Sequence, residues 1–134
     1  MPPEGEGVLM QNCEISIVVP CYNEAPALPH LYTELAALKK TLPGVTFEFV
    51  LVDDGSTDGT RAVIRTLSER DSDVRYVFFS RNFGKEAALL AGLEAARGNY
   101  VAVMDADLQD PPSLLPDMYD AVKSGKYDCA ATRR

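Results

Sequence analysis

Short runs of β-branched residues alternate with stretches of helical periodicity along most of the chain, and that alternation restricts the fold more than any other feature. The first run is Ile15-Ser16-Ile17-Val18-Val19, expected to stop at Pro20. Leu28, Leu31, Leu35, Leu38 and Leu42 then recur at intervals of three and four. They mark a helix over 27–42, with Lys39 and Lys40 suiting its C-terminal dipole and Pro43-Gly44 ending it. Phe47 to Val52 is a second strand, and the turn from Asp53 to Gly59 delivers a helix over 57–70 anchored by Val63, Ile64 and Leu67. A third strand is expected over 74–79, a third helix over 85–96 before Gly98, and a fourth strand over 100–104. Asp110 reads as the N-cap of a fourth helix, with Pro111 or Pro112 in its first turn; this helix reaches Lys123 and stops at Gly125. A fifth strand is expected over 127–131. Apolar strands each followed by a helix indicate an α/β fold, a doubly wound, mainly parallel sheet with helices on both faces.

The 134 residues suffice for one domain with a core of its own. Residues 1–13 show no periodicity and read as a flexible tail, leaving 14–134 as the folded part. Twenty acidic side chains against 13 basic ones give a net charge of −7, which argues against a nucleic-acid partner because phosphate contacts need a basic face. No run approaches the roughly 18 apolar residues of a membrane span. Met1 to Gly7, acidic and rich in Pro and Gly, is unlike a targeting signal. Cys13, Cys21 and Cys129 are odd in number, without a CxxC pair, so neither a disulfide nor a zinc site is expected and a reducing, cytoplasmic setting fits.

In open α/β sheets, ligands bind beyond the carboxyl ends of the strands, where strand order reverses. The segments there are Pro20-Cys21-Tyr22-Asn23-Glu24, Asp53-Asp54-Gly55-Ser56, Ser80 to Lys85 and Asp105 to Asp110, which hold most of the unusual polar residues. Asp105, Asp107 and Gln109 lie at alternate positions, a spacing that in extended backbone aims all three to one side. Two carboxylates and an amide oxygen make a hard site suited to Mg²⁺ or Mn²⁺. The same acids also read as loop residues ahead of the helix at Pro111, and Asp110 is assigned to capping. Asp53 and Asp54 alternate in direction, so one should face the crevice, where a carboxylate can accept from a base N–H or a ribose hydroxyl. Ser56 to Gly59 fit a capped turn instead. Tyr22 could stack on a nucleobase or merely cover the sheet edge, and Asn23 and Glu24 suit capping as well as ligand contact. Arg81 and Lys85 flank a turn opening a helix, where cations and free amides suit a diphosphate or stand as solvated surface charges. His30, the single histidine, lies on the first helix, which disfavours a general-base role. Neither GxxxxGK[ST] nor GxGxxG occurs.

Taken together, the segments 17–24, 52–58, 81–85 and 105–112 resemble the N-terminal half of a family 2 glycosyltransferase with the GT-A fold, in family order and spacing over about residues 14–134. Arg-Asn-Phe-Gly-Lys and Asp-Leu-Gln-Asp-Pro-Pro resemble the branch that transfers a sugar to polyprenyl or dolichyl phosphate. The resemblance implies that Pro20, Tyr22, Glu24, Val52, Asp54, Asp105 and Ala106 hold the nucleotide. It implies that Asp105, Asp107 and Gln109 bind Mg²⁺ or Mn²⁺, and that Lys85 and Arg133 meet phosphate charge. The implied reaction moves a sugar with inversion from a UDP- or GDP-sugar to a lipid phosphate at a membrane surface, the whole protein working on the cytoplasmic face. The family continues past the fifth strand through an acceptor-binding half that bears any catalytic base. This sequence ends at Arg134, as a C-terminally truncated domain, and is expected to bind donor weakly without turnover.

Two other readings use the same residues. A non-catalytic nucleotide-sugar-binding module would keep metal-dependent affinity but never transfer. A nucleotidyltransferase shares paired carboxylates on a doubly wound sheet, yet usually carries a glycine-rich basic loop after its first strand, where this chain has Pro-Cys-Tyr-Asn-Glu.

Overall fold

A computed structural model describes residues 13–125. Four parallel strands, β1 (Ile15–Cys21), β2 (Phe47–Asp53), β3 (Val74–Phe78) and β4 (Tyr100–Val103), form one sheet in the order β3-β2-β1-β4. The helices are α1 (Leu28–Thr41), α2 (Thr60–Arg70), α3 (Lys85–Ala95) and α4 (Leu115–Lys123), the last preceded by a 3₁₀ turn over Pro112–Leu114. The expected α/β fold with helices on both faces is the observed one. The fifth strand over 127–131, Cys129, Arg133 and residues 1–12 of the expected tail lie outside the described residues. Cys13, placed with that tail, already accepts a hydrogen bond from the Asn99 amide.

All seven residues of β2 are buried, and in β1 only Pro20 is not, as strands covered on both faces require. Ile15, Ile17, Val19 and Cys21 face the leucines of α1, Ile64 and Leu67 of α2, and Leu115 and Tyr119 of α4. Val18, Val50 and Val52 face the other way, onto Ala88 of α3. α3 lies close because of Gly92: a Cβ there would come within 2.3 Å of Val18 Cγ1 and 3.2 Å of Val52 Cγ2.

At the amino end of the strands a buried carboxylate is fully provided for. Glu48 accepts from Ser16 Oγ at 2.6 Å, from the Arg97 amide at 2.6 Å and from Arg75 at 2.7 Å. Arg75 also donates to the carbonyl of Ala95, tying the end of α3 to the sheet.

Three expected boundaries move, each for a physical reason. β1 continues through Pro20 to Cys21. The Val18 carbonyl accepts from Met104 and the Cys21 carbonyl from Asp54, so the backbone polar groups of residues 18 and 20 point toward β4 and those of 19 and 21 toward β2. β4 has ended by that point, so Pro20 removes no ladder donor. α2 starts at Thr60 rather than residue 57, after a turn held by Asn23 and Asp58, which accept the amides of Thr57, Asp58 and Thr60. A helical turn does start at Pro112, one of the two expected prolines, but as a 3₁₀ turn whose N-cap position is held by Pro111 rather than Asp110. Pro111, restricted by Pro112 after it, is extended at φ −68°, ψ 135°, and α4 begins only at Leu115.

Candidate functional site

β4 pairs with β1 and not with β3, which precedes it, so the winding reverses between them. The loops leaving β1 and β4 diverge there and open a crevice of about 170 Å³. Pro20, Cys21, Tyr22 and Glu24 line it from β1, Asp54 from β2 and Lys85 from the start of α3. Asp105, Ala106, Asp107 and Gln109 line it from the loop after β4. The volume is below the roughly 300–1,000 Å³ of a typical small-molecule site, so these walls suit one part of a larger ligand.

The two aspartates at the end of β2, Asp53 within it and Asp54 just after, divide as strand alternation requires. Asp53, wholly buried, accepts from the amide of Ser56 at 3.1 Å and from Arg61 Nε at 3.1 Å, closing the turn. Asp54 points toward the crevice, and its oxygens take the loop ahead of α3. They accept the amides of Phe83 at 2.7 Å and Gly84 at 3.1 Å, and Asn82 Nδ2 at 3.2 Å. The loops touch closely: Gly55 has φ +74°, and a Cβ on it would lie 2.2 Å from the carbonyl carbon of Arg81. Asp54 thus anchors the segment that presents Lys85, a role that needed the third dimension to see.

Asn23 braces the neighbouring loop. In left-handed backbone at φ 53°, its Oδ1 accepts from the amides of Thr57 at 2.8 Å and Asp58 at 3.3 Å, while its own amide donates to Ser56 Oγ. Asp58 accepts the Thr60 amide at 2.9 Å, in line with the capped-turn reading of 56–59. Tyr22 leaves its ring open to solvent at the rim, 45% exposed. Arg81 turns aside and lies over the Phe83 ring at 3.9 Å.

After β4 the backbone is not extended, as the spacing argument assumed. Leu108 donates its amide to the Asp105 carbonyl at 3.0 Å, closing a turn, and Leu108 itself sits at φ 56°, uncommon for a non-glycine residue. The turn tucks Ala106 into the core, and Asp105, Asp107 and Gln109 still reach one crevice. Gln109 Nε2 donates to Asp107 Oδ2 at 3.2 Å, and Lys85 Nζ donates to Asp105 Oδ1 at 3.0 Å. Glu24 feels the crowding: burial, then the charges of Asp107, Asp105 and Asp58, push its carboxyl above the usual range against the pull of Lys85. Cys21, part of the rim segment at the end of β1, has its thiol pushed up by burial and by Glu24 and Asp53, which disfavours a nucleophilic role.

Among the described residues no three Asp, Glu, His or Cys side chains converge as a ready-made metal cluster. The oxygens of Asp105, Asp107 and Gln109 nevertheless fit a hard divalent cation whose remaining positions are filled by ligand oxygens, and the acidic crevice leaves charge for it to neutralise. The structure does not bring Val52 to the crevice; its side chain is buried against α3. No helix among the described residues is long and apolar enough to cross a membrane.

Residues 16–134 match the family model described as Glycosyl transferase family 2. The chain is 44% identical over 123 residues to the undecaprenyl-phosphate 4-deoxy-4-formamido-L-arabinose transferase of Pseudomonas aeruginosa, covering 90% of this chain and 35% of that protein. It is 43% identical over 121 residues to an uncharacterized glycosyltransferase of Synechocystis sp., covering 90% and 38%. The chain therefore spans little more than a third of these relatives. A mannosyltransferase from Pyrobaculum calidifontis in complex with GDP-Man and Mn²⁺ superposes with a TM-score of 0.63 at 30% identity, over 75% of this chain and 34% of that one. S. aureus TarS 1–349 in complex with UDP-GlcNAc gives 0.66 at 27% identity, over 83% and 31%.

Proposed function

The chain belongs to glycosyl transferase family 2, and on that footing we propose that it forms the donor-binding part of an enzyme transferring a sugar from a UDP- or GDP-sugar to a polyprenyl phosphate. The observation that carries this reading is the convergence of Glu24, Asp54, Lys85, Asp105, Asp107 and Gln109 on one crevice at the reversal of strand order. The nucleoside lies along Pro20, Tyr22 and Glu24, with the Tyr22 ring exposed for stacking. Asp105, Asp107 and Gln109 hold Mg²⁺ or Mn²⁺, which would neutralise the leaving diphosphate as a Lewis acid. Lys85 adds a positive charge on the same side, and Arg133 is a further phosphate ligand in this reading.

An ionised lipid phosphate is already a nucleophile. Direct attack on the anomeric carbon, with inversion, therefore asks little of a general base, in keeping with the lack of any histidine in the crevice. The acceptor places the reaction at a membrane surface. Two findings support it: a relative named for transfer involving undecaprenyl phosphate, and solved neighbours holding GDP-Man with Mn²⁺ or UDP-GlcNAc.

The test is calorimetric titration of UDP, GDP and CDP with Mn²⁺ or Mg²⁺, beside Asp107→Ala. Metal-dependent binding of one nucleoside diphosphate, lost in the variant, supports the reading and names the base. Equal binding with and without metal would remove its foundation.

A further inference from the structure

Lys85 is the one basic side chain among the described residues that line the crevice. Its ammonium donates to Asp105 Oδ1 at 3.0 Å, yet its side chain is 71% exposed, whereas that of Asp105 is 28% exposed. The head is therefore held by one carboxylate and otherwise open to solvent. Its root is not free: Asp54 grips the amides of Phe83 and Gly84 immediately before it. Gly92 sets α3 hard against Val18 two turns further along. An exposed arm on a fixed base thus reaches a carboxylate that lines the crevice together with a second one, Asp107, and with Glu24.

Carboxylates that share a crevice repel unless a cation lies among them. We propose that Lys85 is a built-in counter-ion of the crevice: it occupies Asp105 before a divalent cation arrives and passes to the donor's diphosphate once that cation is bound. This rests on the reading of Asp105, Asp107 and Gln109 as cation ligands, and adds to it that the protein carries its own competitor for the site. Two consequences of opposite sign follow. Lys85 weakens binding of the metal alone, because Asp105 must be released first. It strengthens binding of the metal and diphosphate together, because the displaced ammonium gains phosphate oxygens. The site is thereby biased against metal without donor.

The experiment measures Mn²⁺ alone by electron paramagnetic resonance, then GDP and UDP in saturating Mn²⁺ by calorimetry. The proteins are the wild type, Lys85→Met, Asp107→Ala and Arg81→Met. Arg81 has the same charge on the same loop but stacks on Phe83, so it controls for net charge. Lys85→Met is expected to bind Mn²⁺ about three- to tenfold more tightly and the nucleotide that the wild type prefers more weakly by a similar factor, Arg81→Met changing neither. If Lys85→Met binds Mn²⁺ no more tightly while Asp107→Ala abolishes binding, the counter-ion role is overturned and the cation site stands. If Asp107→Ala leaves Mn²⁺ binding intact, both are overturned.

Discussion

The carboxylate of Asp54 accepts the backbone amide of Phe83 at 2.7 Å across 29 positions of sequence. One side chain at the end of β2 therefore organises the loop that opens α3. Removing it leaves the amides of Phe83 and Gly84 without their acceptor, a loss of about 2–3 kcal/mol for Asp54→Ala. Asp54→Asn, which keeps one acceptor oxygen, should lose less. Urea denaturation with amide exchange at Phe83 and Gly84 measures it; an Ala variant protected like the wild type would show that the loop stands by itself.

Gly92→Ala should destabilise the fold by about 1–3 kcal/mol, despite the better helix propensity of alanine, since the new methyl group lands 2.3 Å from Val18 Cγ1. Val18→Ala makes room, so the double variant should recover part of the loss in a thermal-melt double-mutant cycle. Simple additivity would place the strain elsewhere.

Glu24 and Glu48 should give stability opposite responses to pH. Glu24, its carboxyl raised first by burial and then by Asp107 and Asp105, binds its proton more tightly folded than unfolded. Its contribution is full below the ordinary carboxylate value of about 4.3 and is lost as pH rises through the folded value. Glu24→Gln should therefore melt higher at pH 7, with the gain gone in acid. For Glu48 burial pushes upward, but Ser16, the Arg97 amide and Arg75 outweigh it and lower the carboxyl. Its contribution is present above the ordinary value and lost as pH falls through the folded one, so Glu48→Gln should cost about 2–3 kcal/mol at neutral pH and less in acid. Melting curves from pH 3 to 8 decide both.

The leucines of α1 and the fully buried strands were legible because burial on a regular element repeats at its own period: Leu28, Leu31, Leu35 and Leu38 are all buried as their spacing requires. The crevice walls from β1 and β4 were legible because parallel strands deliver their following loops to one rim. What could not be read was who holds whom across the rim. The turn ahead of α2 is held by Asn23, 34 residues before Thr57, whose amide it accepts. The latch of Asp54 on Phe83 and the left-handed Leu108 likewise depend on neighbours distant in sequence or on a turn without glycine.

Mn²⁺ should raise the melting temperature of the wild type. At a hundredfold excess over its dissociation constant, a ligand bound only by the folded chain adds about 2.7 kcal/mol. Asp107→Ala should abolish the shift; a shift kept in that variant would put the cation elsewhere.

The strand order also sets a sequence of events in time. β1 meets β2 after one helical connection, Ile15 against Phe47, but must wait for residue 100 before its other edge is paired. Closing the longer loop costs more entropy, so β1, β2 and β3 with their two helices are expected to assemble first and β4 to dock last. Glu24 meets Asp105 and Asp107 only at that final step, when the apolar core under α1 and α2 is already in place to absorb the repulsion. Pulse-labelled amide exchange during refolding would then show Val50 protected ahead of Met104.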